Sequence, residues 1–405
     1  MIPFAPPRID QQIIDEVVAC LQSGWITTGP RTKEFEKLLS EYCGNQTTLC
    51  LNSATAGLEL VLRWFGVGPG DEVILPAYTY ASTANVVIHC GATPVMVDIS
   101  ETFNVDVKII KSAITSKTKV IMPVDFGGFP CDYESINKLV ATPELVALFE
   151  AKTPEQQKLG RILVLSDAAH SLGATINNIR TGKLTDISVF SFHAVKNLTT
   201  AEGGAIAFNL PKPFSNQEVY TYFSILALHG QNKDALAKLQ KGNWKYDIIT
   251  AGYKCNMTDI AAAIGLIELK RYDKDMLPFR RHICNVYNEY FSQFDWAIVP
   301  SIKQGEFHSS CHLYPLRIKD ISEERRDLVI KGIFDRGVSV NVHFIPLPML
   351  TYYKSIGYSI VDFPVSYRTF CTEISLPVYY GLTDDQLRII CKSVSAAVEE
   401  VMQLT

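Results

Sequence analysis

Short apolar runs alternate with amphipathic stretches between residues 10 and 208. The apolar runs predict buried strands, and apolar residues three or four positions apart predict helices. Strands that alternate with helices build right-handed crossovers, so we expect a mainly parallel sheet with helices on both faces. The pattern predicts helices at 10–23, 32–42, 54–65, 82–89 and 136–149, and strands at 47–51, 72–75, 94–97, 120–124, 162–165, 187–190 and 205–208.

The pattern changes near residue 256, where longer helices and fewer strands follow. Helices are predicted at 258–272, 278–294, 323–335 and 383–401, and strands at 313–318 and 339–344. Runs of strands mixed with helices in this way are typical of an α+β unit. We therefore predict a large α/β domain over 1–255, which includes the amino-terminal segment, and a smaller α+β domain over 256–405. The polar stretch 150–161 is expected to be a surface insertion.

The composition is that of a soluble globular protein, since 47% of the 405 residues are hydrophobic and 20% are charged. The formal net charge of −4 and the lack of a long Lys/Arg run argue against nucleic acid and membrane surfaces as partners. The amino terminus lacks the basic start and apolar stretch of a signal peptide. The ten cysteines lie outside any C-x-x-C pair. We expect a cytoplasmic protein without a metal site.

Lys196 has the most informative surroundings in the chain. It lies in a polar loop with Ser191, between the predicted strand 187–190 and a turn at Gly203 and Gly204. A lysine held between two buried elements can have a lowered pKa, which suits it to Schiff-base chemistry. Most lysines are exposed, so a surface lysine in a hairpin is the alternative.

Asp167 ends the predicted strand that begins at Ile162. In open α/β sheets, ligands bind at the carboxyl ends of the strands. A carboxylate there can keep a pyridine nitrogen protonated, and the charged ring then stabilises a carbanion in pyridoxal phosphate enzymes. The alternative is that Asp167 only caps a following helix.

Two segments that join a strand to a helix offer contacts for a phosphorylated ring. Ser53 and Thr55 lie where a helix begins, and free backbone amides at such a point can bind a phosphate. Tyr80 follows the next strand and can stack on a flat cofactor. The alternatives are helix capping for the hydroxyls and core packing for Tyr80.

These groups, in this order, resemble the DegT/DnrJ group of nucleotide-sugar aminotransferases, which are fold-type-I pyridoxal phosphate enzymes. The resemblance covers nearly the whole chain, and its short motifs occur in family order. It implies an α/β fold with a mainly parallel sheet of the seven-stranded type between helices, plus a smaller carboxyl-terminal α+β domain. The motifs are residues 23–30, 69–73, 91–98, 167–170, 191–197, 201–204, 252–259, 342–346 and 375–378.

The resemblance also implies roles for matching residues. Lys196 corresponds to the lysine that forms the Schiff base with pyridoxal 5'-phosphate and moves a proton, and Asp167 to the partner of the ring nitrogen. The other implied cofactor contacts are Ser53, Ala54, Thr55, Tyr80, His170, Ser191 and, in the neighbouring subunit's site, Asn256. The implied substrate pocket is lined by Trp25, Ile26, Thr27, His343 and Phe344.

The sequence departs from the family pattern in two places. Pro348 stands where a second histidine often follows the one that matches His343, and Lys254 and Cys255 interrupt the usual segment before Asn256. Both changes fall where substrate and partner-subunit contacts are expected. The identity of the sugar and the contact made by the second subunit therefore stay open.

The resemblance implies amino transfer, with glutamate as donor and a nucleotide-linked keto sugar as acceptor, in amino-sugar, surface polysaccharide or glycoconjugate biosynthesis. The cofactor would cycle through pyridoxamine 5'-phosphate, and a homodimer with shared sites is implied. An aminotransferase for a cyclitol or another non-nucleotide ketone stays open. A sugar dehydratase of the same family would carry His at the position of Lys196. A non-catalytic regulator would call for an added DNA-binding element or a lost lysine.

Overall fold

The strands of the computed structural model, which describes residues 1–233 and 245–403, follow the predicted alternation with helices through its first half. The longest sheet of the described chain has seven strands. The strands are β1 Thr47–Leu51, β2 Glu72–Pro76, β3 Thr93–Val97, β4 Thr118–Ile121, β5 Leu163–Asp167, β6 Thr175–Ile176, β7 Ile179–Arg180, β8 Ile187–Ser191, β9 Gly204–Phe208, β10 Ala297–Ile298, β11 Lys303–Gln304, β12 Phe307–His308, β13 Tyr314–Ile318 and β14 Glu373–Leu376.

The seven-stranded sheet has the order β1-β9-β8-β5-β4-β2-β3. Its neighbours pair in parallel except at β9, which is antiparallel to both β1 and β8. The carboxyl ends of the parallel strands and the beginning of β9 therefore meet at one edge. The predicted fold class, a mainly parallel sheet between helices with a smaller α+β part, is confirmed.

Several helices begin at a residue whose side chain caps them. Ser53 Oγ accepts from the amide of Ala56, and Thr258 Oγ1 accepts from the amide of Ala261. The α-helices are Gln11–Gln22, Pro30–Cys43, Ala54–Trp64, Ala81–His89, Val107–Ala113, Tyr133–Val140, Pro143–Leu148, Pro154–Leu159, Asn216–Leu226, Asp259–Arg271, Leu277–Phe291, Glu323–Asp335, Thr351–Ser355, Pro364–Thr372 and Asp384–Gln403.

Successive residues of β1 are buried in two different cores, one on each face of the large sheet. Leu49 and Leu51 join a core with the helix Ala54–Trp64, whereas Cys50 faces a core with the helix Pro30–Cys43. Because successive side chains in a strand point to opposite faces, short apolar runs fill both layers. The sheet is thus covered on both sides, and its polar groups collect at the strand ends.

The carboxyl-terminal part has a separate core. Strands β10, β13 and β14 form an antiparallel sheet that packs with the helices Leu277–Phe291, Glu323–Asp335 and Asp384–Gln403. Ile2 joins this core, and its amide donates to the carbonyl of Gly337 at 2.7 Å. The amino terminus is therefore attached to the carboxyl-terminal core. The domain boundary between residues 255 and 256 stays a prediction.

Two local predictions are wrong. The helix at 136–149 is split in two, because Pro143 has no amide hydrogen and the residue before it disfavours the helical region. Residues 339–344 form no strand, and Asn341 makes only an isolated bridge to Ser375. The stretch 150–161 lies at the surface, as predicted, and its buried residue Gln156 anchors it by donating to the carbonyl of Phe65 at 2.8 Å.

Within residues 1–233 and 245–403, no helix is long and apolar enough to cross a membrane. The same ranges contain no cluster of three or more His, Cys, Asp or Glu side chains that could hold a metal ion. The ten cysteines are buried and form no disulfide. They pack as small apolar side chains.

Candidate active site

A cavity of about 340 Å³ opens at the edge where the parallel strands end. This is the edge at which open α/β sheets bind ligands. The structure brings most predicted site residues together in its lining: Ser53, Ala54, Thr55, Tyr80, Asp167, His170, Ser191, Lys196, His343 and Phe344. We call Ser53, Thr55, Asp167, His170 and Lys196 the sheet-edge wall, because strand ends place them.

Lys196 lies in the loop from β8 to β9. Its amide donates to the carbonyl of His193 at 2.9 Å, and the amide of Phe192 donates to Gly203 at 2.9 Å, which closes the loop. Burial lowers the pKa of Lys196 to about 8, although the carboxylate of Asp167 favours the charged ammonium. An amine with this pKa is partly neutral near pH 7 and can attack a carbonyl carbon. The alternative of a freely exposed hairpin lysine is wrong.

Asp167 is buried at the end of β5, with 4% of its surface exposed. The hydroxyl of Thr83 donates to Oδ2 at 2.9 Å, and the amide of Ala169 donates to Oδ1 at 3.3 Å. Burial raises the pKa of Asp167, and these hydrogen bonds and the Lys196 charge act in the opposite direction. The segment 168–174 forms no helix, so Asp167 does not serve as a helix cap.

The turn at Ser53 caps a helix and also presents two free backbone amides to the cavity. Ser53 caps the helix Ala54–Trp64, as the alternative interpretation predicted. Among the described residues, the amides of Ala54 and Thr55 have no hydrogen-bond acceptor, so they are free to bind an anion. A Cβ on Gly204 would lie 2.4 Å from the nitrogen of Ala54. Glycine is therefore required there for the turn to pack on β9.

His170 is a neutral hydrogen-bond donor toward the cavity. The amide of Gly127 donates to its Nδ1 at 3.3 Å, so the proton of the neutral ring is on Nε2. Burial lowers the pKa of His170 well below its usual range, and the charge of Lys196 adds to this effect. A second ring, that of buried His312, has its centroid 4.2 Å away.

The aromatic and histidine side chains across the cavity come from loops. Tyr80 is 64% exposed, so the core-packing alternative is wrong, and its ring centroid lies 5.9 Å from that of Phe344. His343 and Phe344 end the segment 339–344, which was predicted as a strand, and line the cavity with Ser191. These side chains form its open side.

The structure does not bring the remaining predicted residues into this cavity. Trp25 donates from Nε1 to the carbonyl of Thr28 at 3.2 Å, and Thr27 accepts from the amide of Asp259. Asn256 donates from Nδ2 to Thr28 Oγ1 at 2.5 Å, and Ile26 is 49% exposed. We call Trp25, Ile26, Thr27 and Asn256 the remote set. In one chain its members lie near one another and outside the cavity lining.

Sequence reasoning missed three polar residues: His312, which lines the cavity, and Thr83 and Asn197, which contact lining residues. Thr83 lies one residue into the predicted helix at 82–89, and its spacing from Tyr80 could have placed it on the same helical face. Nδ2 of Asn197 donates to the carbonyl of Ser310 at 2.8 Å, and Oδ1 of Asn197 lies 3.0 Å from Nδ1 of His312. The position after Lys196 was a signal for Asn197. Nothing local in the sequence pointed to His312.

The comparison with known proteins decides the family. Residues 7–153 and 156–395 match the DegT/DnrJ/EryC1/StrS aminotransferase family. The chain belongs to this family. The aminotransferase is 36% identical to the spore coat polysaccharide biosynthesis protein SpsC of Bacillus subtilis over 398 residues, which cover 97% of this chain and 96% of SpsC.

Two solved structures show the same fold. The putative sugar aminotransferase Spr1654 of Streptococcus pneumoniae, in its PMP form, is 46% identical, with a TM-score of 0.95 and coverage of 99% of this chain and 100% of Spr1654. Helicobacter pylori PseC, an aminotransferase involved in the biosynthesis of pseudoaminic acid, is 26% identical, with a TM-score of 0.86 and coverage of 98% and 99%. The protein is thus a fold-type-I, pyridoxal phosphate-dependent aminotransferase, as predicted.

The residues of the cavity fit this cofactor. The amides at Ala54 and Thr55 suit its phosphate, and the buried carboxylate of Asp167 suits a protonated ring nitrogen. The lowered pKa of Lys196 suits a reaction with its aldehyde. When bound, the cofactor carries the amino group and withdraws electrons from the reacting carbon.

Proposed function

We propose that this enzyme transfers an amino group from glutamate to a nucleotide-linked keto sugar. The names of SpsC and Spr1654 support sugar chemistry and polysaccharide biosynthesis. The resemblance of the sequence to nucleotide-sugar aminotransferases supports a nucleotide carrier for the sugar. The one structural observation on which amino transfer rests is Lys196, an amine of lowered pKa that shares a cavity with buried Asp167.

In this proposal the sheet-edge wall handles the cofactor. Lys196 Nζ moves a proton to and from the reacting carbon, because its pKa of about 8 lets it exist in both protonation states near pH 7. Asp167 holds a proton on the ring nitrogen, and Thr83 orients the carboxylate. The amides after Ser53 hold the phosphate, and His170 donates from Nε2 to a ring oxygen.

The remote set and the open side of the cavity are assigned to substrate and partner. His343 and Phe344 contact the sugar on the open side. We propose a homodimer in which Asn256 completes the site of the partner subunit, with residues 25–27 at the same substrate pocket. The exposure of Ile26 and of Tyr253, next to Lys254, supports a surface that a second copy covers. A cytoplasmic location belongs to the same proposal.

The test is a screen of acceptors with the purified holoenzyme. Keto sugars linked to UDP, dTDP or GDP are incubated with glutamate, and the products are analysed by mass spectrometry. We expect an amino-sugar nucleotide from at least one carrier and no product from Lys196→Ala. Product formed only from a cyclitol ketone or another free ketone would contradict the nucleotide-sugar assignment and leave the aminotransferase activity intact.

A further inference from the structure

A chain of three polar side chains leads from the cavity into the carboxyl-terminal core. Nδ1 of His343, which lines the cavity, lies 2.9 Å from the hydroxyl of Ser375. That hydroxyl lies 2.5 Å from Oε1 of Glu373. Ser375 and Glu373 are fully buried on strand β14, with 0% of their surface exposed. Burying a carboxyl group costs free energy unless hydrogen bonds satisfy it. The hydrogen bonds that satisfy Glu373 lead through Ser375 to His343 at the ligand cavity.

Hydrogen bonds to its backbone and contacts of its ring hold His343 in place. Its backbone amide donates to Oε2 of Glu373 at 3.0 Å, and its carbonyl accepts from the hydroxyl of Tyr78 at 2.8 Å. Its ring stacks on Phe4, with centroids 5.5 Å apart and planes inclined by 23°. Among the described residues, Nε2 has no hydrogen-bond partner. That nitrogen is therefore free to meet a ligand in the cavity.

We propose that Glu373 and Ser375 are positioning residues that decide whether His343 presents a hydrogen-bond donor or an acceptor to the substrate. The proposal rests on the proposed function for the identity of the ligand, an oxygen-bearing keto sugar. It concerns residues of strand β14 that the sequence analysis left without a role.

Two proton arrangements are consistent with these contacts. With an ionised Glu373, the Ser375 hydroxyl donates to Oε1, the Ser375 oxygen accepts from Nδ1–H of His343, and Nε2 carries a lone pair. With a proton on Oε1, Glu373 donates to Ser375, Ser375 donates to Nδ1, and Nε2 carries the hydrogen. The second arrangement has one more proton than the first. It forms when a proton enters at Nε2 while the Nδ1 proton passes to Ser375 and the Ser375 proton passes to Glu373.

Burial favours the protonated arrangement near pH 7. Burial raises the pKa of Glu373 to about 8, against the hydrogen bonds from Ser375 and the amide of His343 and the charge of Arg326. Arg326 is fixed beneath this site, since its Nη1 donates to the carbonyls of Phe370 at 2.7 Å and Glu373 at 3.0 Å.

The imidazole of His343 does not take up a charge itself. Burial and then the Lys196 charge lower the pKa of His343 to about 4. Three other titratable groups interact with this pair of residues. Tyr78 is close to Glu373, and His170 and His312 are close to His343. Below about pH 8, His343 thus presents Nε2–H, which suits a carbonyl or ring oxygen of a sugar. Above about pH 8, Nε2 carries a lone pair and presents a hydrogen-bond acceptor.

Glu373→Gln gives a matched test, because glutamine has the shape of a protonated glutamate. Its oxygen can accept from the amide of His343, and its NH2 group can donate to Ser375 at every pH. The tautomer of His343 is read from nitrogen-15 NMR of histidine-labelled protein without substrate, and the signal is assigned with His343→Gln. We expect the wild-type signal to change from the Nε2–H to the Nδ1–H form near pH 8. We expect the Nε2–H form throughout in Glu373→Gln.

The NMR result is independent of the substrate, so it separates this proposal from the proposed function. A His343 tautomer that stays the same at all pH values in the wild type, or changes alike in Glu373→Gln, would overturn the proposal. The kinetic measurement is the KM for the keto-sugar acceptor. We expect Ser375→Ala to raise it about tenfold with little change in kcat, since one hydrogen bond is lost, and Ser375→Thr to restore it. An equal loss in both variants would also contradict the positioning role.

Discussion

The sheet-edge wall and the remote set differ in how the chain places them. The wall residues lie at the ends of β1, β5 and β8 or a few residues beyond them, so the ladder of the large sheet fixes where their segments start. The remote set lies in segments outside any strand, and in one chain Trp25 and Asn256 both donate to Thr28 and do not line the cavity.

This difference separates the chemistry of the cofactor from the recognition of the substrate. The groups that we propose for proton transfer lie within one chain, and they are the groups that short sequence motifs identify. In the proposed function, substrate contacts depend on loops, and in part on a second copy of the chain. Changes in loop residues can therefore alter the sugar without disturbing the amine chemistry.

The largest expected effect is the loss of Lys196. Lys196→Ala removes the amine that attacks the cofactor and moves the proton, so turnover should fall to the background rate. Steady-state assays with glutamate and the accepted ketone measure this. Lys111→Ala, at an exposed position outside the cavity, is the control and should keep wild-type activity. Transamination that persists in Lys196→Ala would remove the basis for the sheet-edge wall.

Asp167→Asn should have the next largest effect. The variant keeps the shape and the hydrogen-bond acceptor for Thr83 but lacks the negative charge that holds the ring nitrogen protonated. We expect kcat to fall by about 10²–10⁴-fold, the range of a proton-transfer contribution, while the cofactor still binds. Single-turnover measurements after cofactor loading give the rate. Wild-type kcat in this variant would show that the carboxylate has only a structural role.

Asn256 tests the remote set directly. Asn256→Ala should weaken cofactor binding about tenfold or more, because a hydrogen bond to a charged group is lost across the subunit boundary. Mixed with Lys196→Ala, and assayed at a cofactor concentration that leaves Asn256→Ala alone largely unloaded, it should form hybrid dimers in which one of the two sites is intact, and the mixture should regain about one quarter of wild-type activity. Either variant treated alone by the same procedure is the control. No gain in the mixture would place Asn256 outside the partner's site.

Thr83→Val should have a smaller effect than Asp167→Asn. It removes the hydroxyl that donates to Oδ2 of Asp167 and nearly preserves the volume. We expect kcat to fall about tenfold, the value of one hydrogen bond to a charged group, and Thr83→Ser to recover most of it. A loss in Thr83→Ser equal to that in Thr83→Val would point to packing instead of the hydroxyl.

The smallest expected effect is a shift in the pH dependence of cofactor binding. Neutral Lys196 is the reactive form, so the binding rate should rise with pH through about 8. The charge of Asp167 favours the ammonium and raises the pKa of Lys196. Asp167→Asn should therefore move the midpoint to lower pH, which stopped-flow absorbance can measure. A midpoint that moves upward would contradict the assigned interaction.

Much of the fold and the sheet-edge wall could be predicted because local signals determine them. Apolar runs placed the strands, and polar residues at their ends placed Ser53, Asp167 and Lys196. The prediction of a strand at 339–344 was wrong because this segment is a loop. Some of its apolar residues pack in the same cluster as Phe4, and its one backbone bridge joins Asn341 to Ser375 of β14. Glu373 and His312 could not be predicted as site residues, since their contacts join segments far apart in the sequence.

The most direct test of the central claim is to identify the lysine that reacts with the cofactor. The purified enzyme is loaded with pyridoxal 5'-phosphate and reduced with borohydride, which makes the bond between cofactor and lysine permanent. Peptide mass spectrometry then locates the modified residue. We predict the pyridoxyl group on Lys196 and none on Lys254, the lysine next to the remote set. Modification of another lysine, with Lys196 unmodified, would contradict the account.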